Sequence, residues 1–510
     1  MSDGRCLQSD ARAGENRLAQ ATLGRLPADV AQPRYDRRQV RTGIVHLGLG
    51  AFHRAHQALF TDDCLNAGAR DWGITAASLR SAATRDALVP QDGLYTLALR
   101  ENDRQALRVI GSIGPIFVAP EAPGALLAAM ADPAVRIVTL TVTEKGYGAD
   151  IASGDLRIDD PWVQHDLANP QAPRTALGFA VQALALRRAA GVAPFTLLSC
   201  DNLPGNGQLL HRVLTRFAEA RNPDLGRFVA DEVTCPVCMV DRIVPATSDA
   251  DRAMIAARLG LRDAWPVLAE PFCQWVIEDR FPTGRPEWER SGVVFAADVA
   301  PHEAMKLRLL NGAHSTIAAM GRVSGHATVA AAFGSPVIRA LIGGYWAEVA
   351  AAIAPTIAPG IAPGIDVASY CARLTSRFDN RALQHSCAQI ATDASLKLPQ
   401  RIVAPLRELA AQGRPTPILC FALAAWIRSC QGADEAGAPM PLSDPQLQGW
   451  AGLPGPQVPV AQTVRAFTGF APVFGAGLAP AAVAQVERAL ADIRAVGILP
   501  AAQLRLAART

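Results

Sequence analysis

The run Ile44-Val-His-Leu-Gly-Leu-Gly-Ala-Phe-His53 constrains the fold more tightly than any other part of this chain. A short β-branched apolar stretch meets Gly48 and Gly50, and a helical period sets in near Phe52 and runs to about Leu65. A strand that passes straight into a helix through such a turn belongs to a parallel sheet with crossover helices. The first glycine permits the tight turn. The second lets backbone approach a phosphate, and the helix start then offers N–H groups and the positive end of its dipole. His53 stands where the full dinucleotide fingerprint has a third glycine, so the motif is incomplete.

The rest of the chain extends this pattern and then breaks it. Strand-like runs recur at residues 72–77, 135–143 and 195–199, with an amphipathic helical stretch over about 173–190. Beyond about residue 300 strand signals vanish and helical periods dominate, interrupted by Pro/Gly-rich breaks at 353–365 and 432–460. A chain of 510 residues exceeds one core. The expected fold is α/β: a polar N-terminal extension (1–35), an N-terminal Rossmann-type doubly wound sheet domain (36–300) and a mostly α-helical C-terminal domain (301–510). Net charge is +3, with no basic block that would suit nucleic acid. The first residues lack an apolar signal core, and the longest apolar run, residues 418–427, is too short to span a bilayer. The expectation is therefore a cytoplasmic protein with no membrane or nucleic-acid partner, a monomer or weak homo-oligomer.

The chemistry concentrates after the break. On an α-helix with Glu303 at zero, His314 falls at about 20°, Lys306 at about −60° and Asn311 at about 80°. An acid, an amine, an amide and an imidazole thus share one face, while Met305, Leu309 and Gly312 lie opposite. Charged faces are often only solvated, and Asn311-Gly312 also reads as a turn. If the face is catalytic, it suits hydride transfer between a secondary alcohol and nicotinamide, where the protein must manage a proton and an oxygen charge. Lys306 would be the base, its pKa lowered by burial or a neighbouring cation. Asn311 would donate to the oxyanion, His314 would orient hydroxyls, and Glu303 would pass the proton on. Asn202, just past a strand end, is a second donor or merely an Asx-turn residue. Gly48, Gly50 and Phe52 are the cofactor candidates at the turn, with Arg80 and Ser81 after the second strand. NAD is expected, but no acid appears there before Asp86 and Arg80 and Ser81 could instead receive a 2′-phosphate, so NADP stays open. Cys235 and Cys238 form one close pair of thiols, a zinc half-site, a redox pair or, as expected here, two packed strand cysteines, since no further ligands follow at matching spacing.

With these residues in place, the sequence resembles the mannitol dehydrogenase family of polyol-specific long-chain dehydrogenases. The resemblance rests on residues 44–57, Thr141-Val-Thr-Glu-Lys-Gly-Tyr147, Ser199-Cys-Asp-Asn-Leu-Pro204, Met239-Val-Asp-Arg242, Glu270-Pro-Phe272, Gly284-Arg-Pro286, Asp393-Ala-Ser-Leu-Lys397 and the motif Lys306-x4-Asn311-x2-His314. It implies a Rossmann-type domain plus a helical domain and metal-independent catalysis. It also implies Lys306 as base, Asn202 and Asn311 on the oxygen, Glu303 as relay, and Asp241, His314 and Lys397 near substrate. The run from Gln389 to Arg401 resembles the fructuronate reductase (D-mannonate oxidoreductase) branch, whereas some mannitol dehydrogenases carry arginine where Gln389 stands. A sugar acid needs a cation for its carboxylate, and Lys145 or Arg401 could serve. The expected activity is NAD-linked interconversion of D-fructuronate and D-mannonate. D-fructose/D-mannitol is the alternative; a zinc alcohol dehydrogenase or a silent nucleotide-binding regulator are more distant ones.

Overall fold

The computed structural model describes residues 16–150, 153–355, 357 and 366–508, the side chains of Glu144 and Lys145 excepted. The chain divides into two units, Met1–Ala300 and Pro301–Thr510.

Among its described residues the first unit holds eleven strands: β1 Thr42–Leu47, β2 Gly73–Ser78, β3 Tyr95–Glu101, β4 Arg104–Ile110, β5 Ile113–Val118, β6 Ile137–Leu140, β7 Thr196–Ser199, β8 Cys238–Asp241, β9 Val267–Ala269, β10 Gln274–Glu278 and β11 Val294–Ala296. Five form a parallel sheet in the order β5-β2-β1-β6-β7. Its strands are apolar on both faces, as a sheet covered on both sides requires. Val45, Leu47, Val138 and Leu197 pack with the helices Pro123–Ala131, Ala176–Ala189 and Asn206–Arg221. Ile44, Ile74, Ile137 and Leu198 pack with the helix Gln57–Asn66 and with Trp275 and Trp288. This is the Rossmann-like sheet the sequence pattern calls for.

Details differ from the sequence reading. The expected 135–143 strand is paired only over Ile137–Leu140, because residues beyond it turn to meet the β7 loop. The helix after Gly50 is broken at His56 (φ −127°, ψ −88°) into Ala51–Ala55 and Gln57–Asn66. Two small sheets, β4-β3-β9 and β11-β10-β8, went unread, since strands of three to seven residues carry little periodicity. The described part of the N-terminal stretch packs in: Leu18, Leu23 and Val30 are buried with Leu94, Leu107, Val109 and Leu268.

The second unit is helical. The helix Pro417–Ser429 is apolar all round and buried, and it packs against Gly312–Val323 and Pro480–Val496. Its first N–H groups would be orphaned in this core, and Glu348 supplies the acceptors, its carboxylate taking Ile418 N–H (3.0 Å) and Leu419 N–H (2.9 Å). Glu348 sits on Pro336–Ile353, a helix long and apolar enough by composition to cross a membrane, half of which is buried inside the fold.

Candidate active site

The sheet order switches at β1, whose neighbours β2 and β6 lie on opposite sides, so the carboxyl end of β1 is where such sheets bind ligands. Gly48 occupies that end with φ +101°, and a Cβ there would lie 2.2 Å from the Thr141 carbonyl oxygen. Only glycine fits. Gly50 differs: a Cβ there would meet nothing nearer than the Gly48 oxygen at 3.7 Å, so its bareness leaves open space over the turn. Phe52 stacks on His56, with ring centroids 5.0 Å apart. Where a third glycine would let helix approach strand, His53 stacks instead on His46 of β1, at 3.4 Å and 10°. His46 is held by the Thr139 hydroxyl (2.8 Å) and the Gly48 carbonyl (3.2 Å), and burial pushes its pKa down to about 3. Two neutral imidazoles therefore floor the glycine turn. Arg80 and Ser81 are exposed just past β2, and the Ser81 hydroxyl accepts from Ala83 N–H.

Asn202 is exposed in the loop after β7. Its neighbour Asp201, which the sequence reading passed over, organises the region. Its carboxylate accepts from Val142 N–H and Thr143 N–H (both 3.0 Å) and from the Tyr147 hydroxyl (2.7 Å), joining the β6 and β7 loops. Asn206 completes the frame by donating to the Ser199, Asp201 and Cys238 carbonyls and accepting from Cys238 N–H. Asp241 is buried at the end of β8. Cys235 and Cys238 are both buried; burial pushes the Cys235 thiol up to about 12, and the Cys238 thiol donates to the Ser199 carbonyl. Among the described residues no three His, Cys, Asp or Glu side chains are grouped to hold a metal ion.

In the second unit Glu303, Lys306, Asn311 and His314 follow one another along a continuous helical segment, Glu303 half-buried and Lys306 and His314 buried. The segment is not uniformly α. Over Lys306–Asn311 it is a π-helix, in which Gly312 N–H reaches back to the Leu307 carbonyl. A return from i+5 to i+4 bonding passes over one carbonyl, and that of Arg308 accepts from the Tyr345 hydroxyl at 2.9 Å. A second π-helix, Pro399–Val403, lies alongside. Pro405 has no N–H to give the Arg401 carbonyl, and the same Tyr345 hydroxyl stands 3.0 Å from it. Trp346 Nε1–H caps the Leu309 carbonyl, and Arg308 pairs with both oxygens of Glu408 (2.6 and 2.7 Å). The hydroxyl can approach because residue 312 is glycine: a Cβ there would lie 1.9 Å from it.

Arg401 donates to the Ser315 hydroxyl (3.1 Å) and the Asn311 carbonyl (3.4 Å), and burial brings its guanidinium down to about 10. His314 packs on Phe378 (4.6 Å) and His385 (5.2 Å). Burial, then His385, Arg377 and Arg401, hold its pKa well below the ordinary value. Asn311 Nδ2 and His314 Nε2 are enclosed without a hydrogen-bond partner. Lys397 donates to the Ile390 and Thr392 carbonyls, and Gln389 is exposed. The side chain of Lys145 lies outside the described residues. Tyr345 and His385 were missed in the sequence, and Gly312 was read only as a packing or turn residue; Pro405 four residues after Arg401 was a signal for the Tyr345 contact.

Residues 42–290 match the mannitol dehydrogenase Rossmann domain and residues 298–494 the mannitol dehydrogenase C-terminal domain. The chain belongs to the mannitol dehydrogenase family. It is 42% identical to D-mannonate oxidoreductase of Escherichia coli (strain K12) over 450 residues, covering 87% of this chain and 91% of that protein. It is 40% identical over 425 residues to mannitol 2-dehydrogenase of Aspergillus fumigatus, covering 82% and 84%. Among solved structures, the ternary complex of Pseudomonas fluorescens mannitol 2-dehydrogenase with NAD and D-mannitol superposes with a TM-score of 0.83 at 38% identity, covering 96% and 99%. A substrate-free D-sorbitol dehydrogenase gives 0.86 at 31%, covering 95% and 99%. Family membership makes this chain an oxidoreductase acting on CH–OH groups.

Proposed function

We propose that this family member is a cytoplasmic, metal-independent, NAD-linked oxidoreductase that interconverts D-fructuronate and D-mannonate. The observation that favours an acid is the charge around His314. Arg377 and Arg401 both act on its ring. An uncharged polyol gains nothing from that field, whereas a sugar carboxylate is held by it. The 42% identity to a D-mannonate oxidoreductase points the same way. The 40% identity to mannitol 2-dehydrogenases supports D-fructose and D-mannitol as the second reading. The nine described cysteines are all unpaired, which suits a reducing compartment.

NAD, when bound, takes or gives the hydride. The open turn from Gly48 to Phe52 fits its pyrophosphate, and Arg80 and Ser81 stand where the adenosine ribose falls in such sheets. Lys306 is the proposed base: it is buried, and its amine in the neutral form would accept the alcohol proton. Asn202 and Asn311 donate to the oxygen as charge develops, and the unpartnered Nδ2 of Asn311 has the bonding capacity to do so. Glu303 carries the proton to solvent. His314, Asp241, Lys397, Gln389 and Lys145 orient the sugar, and Arg401 acts through its field and the Asn311 backbone it holds. The test is kcat/KM for D-fructuronate and D-fructose with NADH and NADPH. A preference for D-fructose would overturn the substrate assignment, and a preference for NADPH the cofactor.

A further inference from the structure

Three side-chain nitrogens enclosed without a partner belong to one neighbourhood of the helical unit: Asn311 Nδ2, His314 Nε2 and His385 Nδ1. The first two are taken up by the reaction proposed above. His385 is not. Its ring stands edge-on to His314, 5.2 Å between centroids at 85°, so the two nitrogens are no further apart than a six-carbon chain can reach.

The placement of His385 is built. Its carbonyl accepts from Val329 N–H at 2.9 Å, Cys387 N–H bonds the Ala327 carbonyl at 2.9 Å, and Thr328 bridges to Ser386. The preceding residue, Gln384, takes the left-handed conformation at φ +47°, which a residue with a Cβ adopts only where the surroundings hold it. A buried imidazole nitrogen left unbonded is destabilising unless a ligand completes it. Burial, then Arg377, keep His385 below its ordinary pKa. Near neutral pH it therefore offers a single N–H in a field that favours an anion.

We propose that His385 is a substrate-contacting residue whose imidazole N–H binds the carboxylate of the sugar acid, while His314 and Asn311 take oxygens further along the same molecule. This rests on the acid-over-polyol reading and names the residue that makes the distinction. His385 would then set specificity without touching the transferred hydride.

The test compares parent, His385→Ala and His385→Asn, measuring kcat and KM for D-fructuronate and for D-fructose with NADH. Asparagine keeps an amide N–H near the Nδ1 position. Alanine is expected to lower kcat/KM for D-fructuronate about 10- to 100-fold, chiefly through KM, and to change D-fructose by less than about 3-fold, with asparagine restoring most of the loss. Equal losses on both substrates, or no loss on either, would overturn the proposal. Should His385→Ala fail to fold, His385→Phe keeps the ring contact with His314, lacks the N–H, and carries the same expectation. The acid reading fails separately: it is judged on the parent enzyme alone, by its preference between the two substrates.

Discussion

Replacing Gly312 by alanine should destabilise the helical unit, although helix propensity alone predicts the reverse. Alanine in a helix interior is favoured over glycine by about 1 kcal/mol. Here, however, the new Cβ would lie 1.9 Å from the Tyr345 hydroxyl and 2.9 Å from the Arg401 carbonyl oxygen. Carbon atoms do not come within about 3 Å of such atoms, so the buried hydroxyl must retreat by about 1 Å or more. Its single proton, shared between the Arg308 and Arg401 carbonyls at 2.9 and 3.0 Å, would then be withdrawn from both. Losing that one buried hydrogen bond costs about 1–3 kcal/mol, and overpacking about as much again. Against the propensity gain, a net loss of about 3 kcal/mol is expected, or roughly 9 °C in melting temperature for a unit of this size. Differential scanning of the full chain reads it. Tyr345→Phe should cost about 1–3 kcal/mol by itself. In the double variant the clash is relieved, so the two losses should fall short of additive by about 1 kcal/mol or more. A Gly312→Ala protein as stable as the parent, or a strictly additive cycle, would refute the reasoning.

Three further outcomes are expected. Lys306→Ala should lower kcat by about 10²- to 10⁴-fold while NADH binding, followed by fluorescence titration, stays within about 3-fold; activity within about tenfold of the parent would remove Lys306 as the base. Asp201→Ala frees the β6 and β7 loops by deleting three acceptor bonds, and should both lower the melting temperature and weaken NADH binding, with Asp201→Asn intermediate; unchanged cofactor affinity would separate Asp201 from the cofactor end of the sheet. His46 has a folded-state pKa of about 3 against 6.5 when free, so between these values only the unfolded chain takes up the proton. Its contribution is complete above about pH 6.5 and lost as pH falls toward 3, by roughly 4–5 kcal/mol. Urea denaturation across that range should show the slope, which His46→Asn reduces; a flat profile in the parent would contradict it.

Much of the first unit was legible because its signals are local. Ile44 to Gly50 states a strand, a turn and a helix start within seven residues, and the apolar runs around Val138 and Leu197 can serve only buried parallel strands. What escaped depends on partners far along the chain. β9 has three residues and makes sense only beside β3, 170 positions earlier by its Leu97–Val267 pairing. Asp201 looks like an ordinary loop acid until Val142, Thr143 and Tyr147 are brought to it. The break at His56 was equally hidden, since it goes with His56 Nε2–H donating to the Gln274 carbonyl (2.9 Å) rather than with a glycine or proline.

The candidate site itself was found for a reason that needs amending. A period of 100° per residue puts Lys306 and Asn311 about 140° apart, which is wide for two groups meant to serve one oxygen. In a turn closed over five residues each step rotates by less, so the π-helix draws the two side chains toward the same side. That geometry is expensive: it leaves a carbonyl unbonded, and a uniform α-helix would recover it. The sequence opposes the relaxation at three distant points. Tyr345 shares its hydroxyl proton between the stranded Arg308 carbonyl and that of Arg401, Pro405 denies the Arg401 carbonyl its α-helical N–H, and Gly312 makes room for the hydroxyl. If this clasp is what aligns base and amide, Tyr345→Phe should lower kcat more than its stability loss explains, with KM for the sugar little changed; a kcat equal to the parent's well below the melting temperature would mean that the π turn is held for some other purpose.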